Sequence, residues 1–248
     1  MNRAQFHKLF KSPGPVVLPV IHVTSAEQTV RNLQVAIGEG APGVFLINHD
    51  FGPPGFLPII RHAREKFPSL WLGVNFLAVT GREAFPMLAE LHRQGVEVDG
   101  YWADDARIDE RGEGQSEAEQ ILRVKSQCGW NGFYTGGVCF KKQREVPAAL
   151  HELAARIAAS YMDAVCTSRA ATGKAADLAK IQAFRRAIGD RPLTLASGVT
   201  PENAPHYARD VDGFMVATGV NREGDFYNLD PAKLARLIRL TRDYGAQS

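Results

Sequence analysis

The sequence predicts an α/β fold, a (β/α)8 TIM barrel in a single domain. Three observations predict it. Apolar runs begin near Val16, Gly43, Leu70, Gly100, Gly132, Asp163, Leu193 and Gly213, about 20 to 32 residues apart, and helical patterns alternate with them. Eight such units fill 248 residues, close to the roughly 250 of one barrel. The last two runs, Leu193–Ala196 and Phe214–Ala217, both end in a small polar residue and a glycine: Ser197-Gly198 and Thr218-Gly219. An open doubly wound sheet usually has fewer strands and a glycine-rich first turn, and no glycine follows Val16–Val23 here.

The opening stretch, MNRAQFHKLFKSPGP, reads as a short helix carrying Phe6, Leu9 and Phe10 and broken by Pro13-Gly14. Residues 1–15 are expected to form an extension that closes the bottom of a barrel spanning 16–248. This stretch lacks the apolar core of a signal peptide. No apolar run approaches the roughly 18 residues that cross a bilayer, so a cytoplasmic location is the expectation. A net charge of +2 is too balanced for a nucleic-acid or membrane footprint, and neither partner is expected. A homo-oligomer is compatible with the composition. Cys128, Cys139 and Cys166 are odd in number and widely spaced, which fits a reducing compartment and small apolar roles.

Unit one is VVLPVIHV, with His22 at the strand's end. Ser25 and Gln28 then have capping-box spacing, and Val30, Leu33 and Ile37 share a helix face. Unit two is GVFLINHDFGPPGF. Extending the strand's alternation puts Asn48 and Asp50 on one face and His49 on the other, and Gly52-Pro53-Pro54-Gly55 makes a rigid turn. Asn48 and Asp50 are therefore the candidates here, the bland alternative being that Asp50 caps the turn. Unit three, LWLGVNFLAVTG, brings Asn75 to the mouth. Its helix runs from Arg82 toward Gln94, with Pro86 in the first turns.

Unit four ends in Asp104-Asp105, before a polar, glycine-bearing loop long enough to act as a lid. Paired carboxylates could hold a divalent metal or do acid–base work, or simply cap the turn. His22, His49, Asp50 and Asp104 have no metal-motif spacing, so no metal site and no cofactor are assigned. In unit five, Gly136-Gly137 suggests a close backbone approach. Lys141 follows, placed to meet a phosphate or carboxylate or else to be solvated. Unit six ends in Thr167-Ser168, and its loop carries Thr172-Gly173-Lys174. Those hydroxyl, glycine and lysine groups suit an anion, but the glycine spacing of a P-loop is absent. Asp177 or a neighbour starts a helix over 178–188.

Units seven and eight carry the main functional signal. Thr200-Pro201-Glu202 reads as a helix start: hydroxyl N-cap, proline, acid. Small residues at both strand ends let backbone N–H groups approach a ligand. A phosphate held by the loops after strands seven and eight recurs in barrels of the ribulose-phosphate-binding type. Ser197, Gly198, Thr218 and Gly219, with Thr172 and Gly173, are the candidate phosphate residues. The alternative is that both glycines only make turns. On the first reading, a side chain at Gly219 should end anion binding without unfolding the chain. Asp230-Pro231 then caps a last helix that packs Leu234, Leu237, Ile238 and Thr241 on the barrel.

From strand six onward, DAVCTSRAATGKAADLAKIQAFR, LASGVTPENAPHYARDVDGFMVATGV and GDFYNLDP resemble the BtpA/SgcQ family, named for a photosystem I biogenesis protein. VIHV around His22, INHD around Asn48 and Asp50, and VCFKK around Lys141 resemble it more loosely. The resemblance implies a barrel and, from some members' labels, phosphoribosyltransferase or nucleotide-related chemistry. The family's LPPLPG-type loop after the first strand's histidine is replaced here by VTSAEQTV, so the first mouth loop is short.

Two functions are expected to compete. One is an enzyme on a small phosphorylated ligand, a transferase, isomerase or lyase. Its reacting centre would be ringed by His22, Asn48, Asp50 and Asp104, with Asp50 or Asp104 as general acid or base and with Asn75, Lys141, Ser168 and Lys174 also at the mouth. No lysine ends strand six, which argues against a Schiff-base aldolase. The other is a non-catalytic assembly or regulatory factor on the same scaffold.

Overall fold

The structure, a computed structural model, describes residues 1–168 and 177–247. Eight parallel strands close into a barrel in sequence order: β1 (Val16–Val23), β2 (Gly43–Asn48), β3 (Trp71–Asn75), β4 (Gly100–Ala103), β5 (Phe133–Gly137), β6 (Ala164–Ser168), β7 (Leu193–Ala196) and β8 (Gly213–Val216). Each begins within one residue of the position expected from the sequence. Helix α1 (Arg3–Phe10) precedes β1. Around the barrel lie α2 (Ala26–Gly38), α3 (Pro53–Lys66), α4 (Gly81–Arg93), α5 (Ser116–Cys128), α6 (His151–Ala158), α7 (Leu178–Ile188) and α8 (Pro231–Gln247).

The segment between β7 and β8 departs from expectation. Thr200 and Asn203 exchange hydrogen bonds as a helix start should: the Thr200 N–H donates to Asn203 Oδ1 at 2.8 Å, and the Asn203 N–H to Thr200 Oγ1 at 3.4 Å. No α-helix follows, only a 3-10 turn over Ala204–His206. Pro205 lies inside that turn and has no N–H to extend a ladder. The chain must also return to β8 within a short loop.

Strands of a closed parallel barrel are buried on both faces. Along β1 and β2, Val16, Leu18, Val20, Phe45 and Ile47 point into the barrel, with Trp102, Phe133, Ala164, Cys166, Ala196 and Met215 from later strands. Their neighbours Val17, Ile21, Val23, Val44 and Leu46 point out to the helices. On α2 the buried residues are Gln28, Thr29, Asn32, Leu33 and Ala36. Ile37 is exposed, so the apolar face is rotated from the Val30–Leu33–Ile37 stripe. α7 starts at the Asp177 cap, and Leu234, Leu237, Ile238 and Thr241 are buried on α8.

Helix α1 closes the bottom. Asn2 caps it in a full capping box with Gln5. Phe6 meets Phe133 at 5.9 Å between ring centroids and Phe10 meets Trp71 at 4.8 Å, so both rings plug the barrel floor, while Leu9 stays exposed. Burying each phenyl ring contributes about 2–3 kcal/mol. Asp212, just before β8, locks the plug. Its buried carboxylate accepts from Arg3 Nε (2.6 Å), Arg185 Nη1 (2.9 Å) and the Leu193 N–H (2.9 Å), with His7 Nε2 at 3.2 Å. Cys166 is buried, and Cys128 and Cys139 are half-buried.

Candidate active site at the barrel mouth

His22 ends the inward row of β1 and is 7% exposed. Its Nδ1 lies 3.0 Å from the Phe226 carbonyl oxygen. A carbonyl only accepts, so Nδ1 carries the proton and Nε2 keeps a lone pair. Phe226 also stacks on the imidazole, with centroids 3.8 Å apart and planes at 12°. Burial pushes the His22 pKa down to about 4, against the pull of the Phe226 carbonyl. The ring is neutral at physiological pH, as a base must be.

The loop that brings Phe226 over β1 is held by α2. Gln28 Nε2 donates to the Tyr227 carbonyl (2.7 Å) and the His22 carbonyl (3.1 Å). Asn32 Nδ2 donates to the Tyr227 carbonyl at 3.0 Å, and Asn32 Oδ1 accepts the Leu229 N–H at 2.8 Å. The side of the mouth left open by a short first loop is thus furnished by the loop after β8.

At the end of β2 the sequence reading is corrected. Phe45 and Ile47 point inward, and His49 continues their row; its ring lies 4.8 Å from that of His22. Asn48 belongs to the outward row of Val44 and Leu46. Its amide is spent on two loops: Nδ2 donates to the Phe51 carbonyl at 2.5 Å, and Oδ1 accepts the Leu77 N–H at 3.1 Å. Both ends of the amide thus position loops. Asp50 lies exposed on the rim, where Tyr227 Oη donates to it at 3.1 Å. β2 ends at Asn48, so strand alternation does not carry to Asp50. Burial lowers the His49 pKa, and Lys142 and Lys141 lower it further, against Asp104 and Asp50.

Asp104 follows β4, near enough to His49 for each to bear on the other's charge. Asn75 Nδ2 donates to its Oδ1 at 3.1 Å. The backbone of Ala78, held at φ 61°, also bonds to the carboxylate. Burial pushes its pKa up, more than Asn75, Ala78, Lys141 and His49 pull it down. Asp105 is not its partner in chemistry: Asp105 Oδ1 accepts the Arg107 N–H at 2.8 Å. The loop after β4 is fastened, not free as a lid would be. Arg144 pairs with the Glu110 carboxylate, which is shielded from solvent, and Gln115 brackets Asp109. A cavity of about 620 Å³ lies between the β4 and β5 loops, off the barrel axis.

Gly137 sits where a Cβ would come within 2.1 Å of the Asp104 carbonyl, so the expected close approach is present. The Lys141 N–H donates to Ser168 Oγ at 2.8 Å. The Lys141 side chain is near enough to bear on His22, His49 and Asp104. Lys180 on α7 reaches the Cys139 carbonyl and, at 2.8 Å, the Ser168 carbonyl, and so ties the β5 loop to the end of β6. Thr172, Gly173 and Lys174 lie outside the described residues.

The turns after β7 and β8 are side by side. A Cβ on Gly219 would lie 1.9 Å from the Val199 carbonyl oxygen. Any side chain there must therefore part the two turns, and a substitution at Gly219 would disturb the fold as well as a ligand. Ser197 and Gly198 are both left-handed, at φ 71° and 75°. Asn203 Nδ2 takes the Gly198 carbonyl at 2.8 Å. Among the described residues, the backbone N–H groups of Gly198, Val199, Thr218 and Gly219 donate to no acceptor. Also among the described residues, no three metal-ligating side chains converge and no helix is long and apolar enough to cross a membrane.

Sequence comparison agrees with this architecture. A family model described as "BtpA family" matches residues 64–243. The chain belongs to the BtpA family. An uncharacterized protein of Thermococcus kodakarensis is 34% identical over 82 residues, a stretch covering 33% of this chain and only 31% of that protein. Among solved structures, the tryptophan synthase α subunit of Legionella pneumophila superposes with a TM-score of 0.66 at 17% identity, over 98% of this chain and 99% of that one. Phosphoribosyl anthranilate isomerase from Thermus thermophilus gives 0.59 at 18% identity, over 90% and 96%. At such identities the likeness is one of fold.

Proposed function

We propose that the protein is an enzyme acting on a small phosphorylated substrate at the C-terminal mouth of the barrel. The observation that carries this reading is the pair of abutting turns after β7 and β8, whose N–H groups at Gly198, Val199, Thr218 and Gly219 have no acceptor among the described residues. Backbone N–H groups gathered at an open mouth can donate to water or to a ligand, and a phosphate accepts from several at once. Ser197 and the unit-six residues Thr172 and Gly173 complete the proposed anion site. The T. thermophilus isomerase of the same fold acts, by its name, on a phosphoribosyl compound.

Above the anion, His22 is the proposed general base, acting through Nε2. Asp104 is the proposed acid, its pKa raised by burial. His49 and Lys141 line the same space. A neutral base and an acid at one mouth suit proton transfers, as in isomerisation or elimination. The reaction is left open between isomerase, lyase and transferase.

Calorimetry with inorganic phosphate and ribose 5-phosphate tests the reading, alongside thermal shift. Binding should raise Tm. Thr218→Glu puts a fixed negative charge on the exposed rim of the turn and should weaken phosphate binding about tenfold or more while Tm without ligand holds. No shift with any anion would favour a non-catalytic assembly factor.

A further inference from the structure

We infer that the inner wall beneath Asp104 carries a second subsite, formed by Asn75 Oδ1 and Trp102 Nε1, that reads a hydroxyl or carboxamide on the body of the substrate. The inference rests on the phosphate reading above and adds what the rest of the ligand must be. Four buried side-chain atoms lack a partner among the described residues: His7 Nδ1, Asn75 Oδ1, Trp102 Nε1 and Tyr134 Oη. His7 lies in the plug and Tyr134 in the helix-facing layer. The other two face the barrel interior. Asn75 is paired in register with inward Ile47, and Trp102 packs within the inner cluster against Phe45 and Phe140.

The two are also neighbours. β3 and β4 pair Gly73 with Gly100 and Val74 with Tyr101, so Asn75 and Trp102 are next in the ladder. Asn75 is 0% exposed and Trp102 6%. One orphan is an acceptor and the other a donor. Asn75 Nδ2 is turned to Asp104, which leaves the carbonyl oxygen as the unpaired atom. The matching group must donate to an oxygen and accept from an indole N–H. A hydroxyl or a carboxamide does both. A carboxylate has nothing to donate, an ammonium has nothing to accept with, and an apolar body leaves both atoms unpaired. Unpaired buried partners are what lets a site reject an analogue that lacks the group. Asp104 lies two residues beyond Trp102, so the atom read here sits next to the proposed acid.

Calorimetry on three ligands tests this: inorganic phosphate, ribose 5-phosphate and phenyl phosphate. The last two share the anchor and differ in a hydroxylated against an apolar body. Wild type should prefer ribose 5-phosphate over phenyl phosphate by about tenfold or more. Trp102→Phe keeps a ring and removes the N–H. Asn75→Leu keeps the shape and removes the carbonyl, together with the Nδ2 donor that Asp104 accepts, so Trp102→Phe is the cleaner test. Each should cut that preference about tenfold while inorganic phosphate binds within about twofold of wild type; either variant suffices if the other does not fold. Equal binding of the two esters by wild type, with phosphate still bound, overturns the subsite and leaves the anchor standing. A preference unmoved in the folded variants, as expected if water alone serves these atoms, overturns it too. If wild type binds none of the three, the phosphate reading fails and the subsite falls with it.

Discussion

The two ends of the barrel are built from similar residues to opposite effect. At the bottom, Asp212 is surrounded by Arg3, His7, Arg185 and the Leu193 amide. Burial would raise its pKa, but hydrogen bonds from His7, Arg3 and Leu193 overcome that and hold the carboxyl low. At the top, Asp104 has an amide, the left-handed Ala78 backbone and, among the described residues, no ion pair of comparable closeness, and burial wins. The non-glycine residues with left-handed backbone repeat the contrast. Lys11 is at the bottom, while Ala78, Arg107, Cys139, Lys142 and Ser197 all follow strands at the top. One end spends its polar groups on holding the fold together. The other leaves donors, acceptors and left-handed backbone in place, as the proposed ligand site requires.

Three experiments sharpen that contrast. Asp212→Ala should cost the most, about 3–5 kcal/mol by urea denaturation, because it strands the largely buried Arg185 without its carboxylate. Phosphate binding should be unchanged in it. A loss under about 1 kcal/mol would put the plug in the class of weak surface pairs.

The second effect comes from His22. Its folded pKa, about 4, lies below the ordinary value of the unfolded chain. Below the unfolded pKa the unfolded state binds the extra proton, so stability should fall as pH drops from about 6.5 to about 4 and be unaffected by this group above that window. The ceiling is on the order of 3 kcal/mol. His22→Gln should flatten the slope of unfolding free energy against pH in that window. An equal slope in wild type and variant would mean that the imidazole is charged in the folded protein.

The smallest effect is at Ser197. A serine at φ 71° carries a left-handed penalty that glycine does not, so Ser197→Gly should stabilise by roughly 0.5–1 kcal/mol in the same denaturation assay. Destabilisation there would mean that the hydroxyl is needed in the ligand-free turn.

Strand positions were legible in the chain because buried parallel strands are compact apolar runs bounded by turn residues. Caps at Ser25, Asp177 and Asp230 were legible because capping is local. Side-chain parity was not. In GVFLINHD both faces of the strand are apolar, so nothing local says whether Asn48 or His49 points inward. Nor did the sequence reveal that Phe226, 204 residues after His22, would stack on it, or that Gln28 and Asn32 would hold the loop that brings it there. The expected helix at Thr200 had its cap in the right place, but the turn containing Pro205 and the short return to β8 left no room to propagate it.

The sequence by itself determined the eight-fold alternation, the closure that its length allows, the family, and the two glycine turns at the last strand ends. Those are local or compositional properties, fixed by which residues tolerate which backbone. The tertiary structure alone decided which atoms remained unpaired. Whether Asn75 Oδ1, Trp102 Nε1 or a backbone N–H finds a partner depends on groups brought from distant strands. Pairing is settled only when the barrel closes.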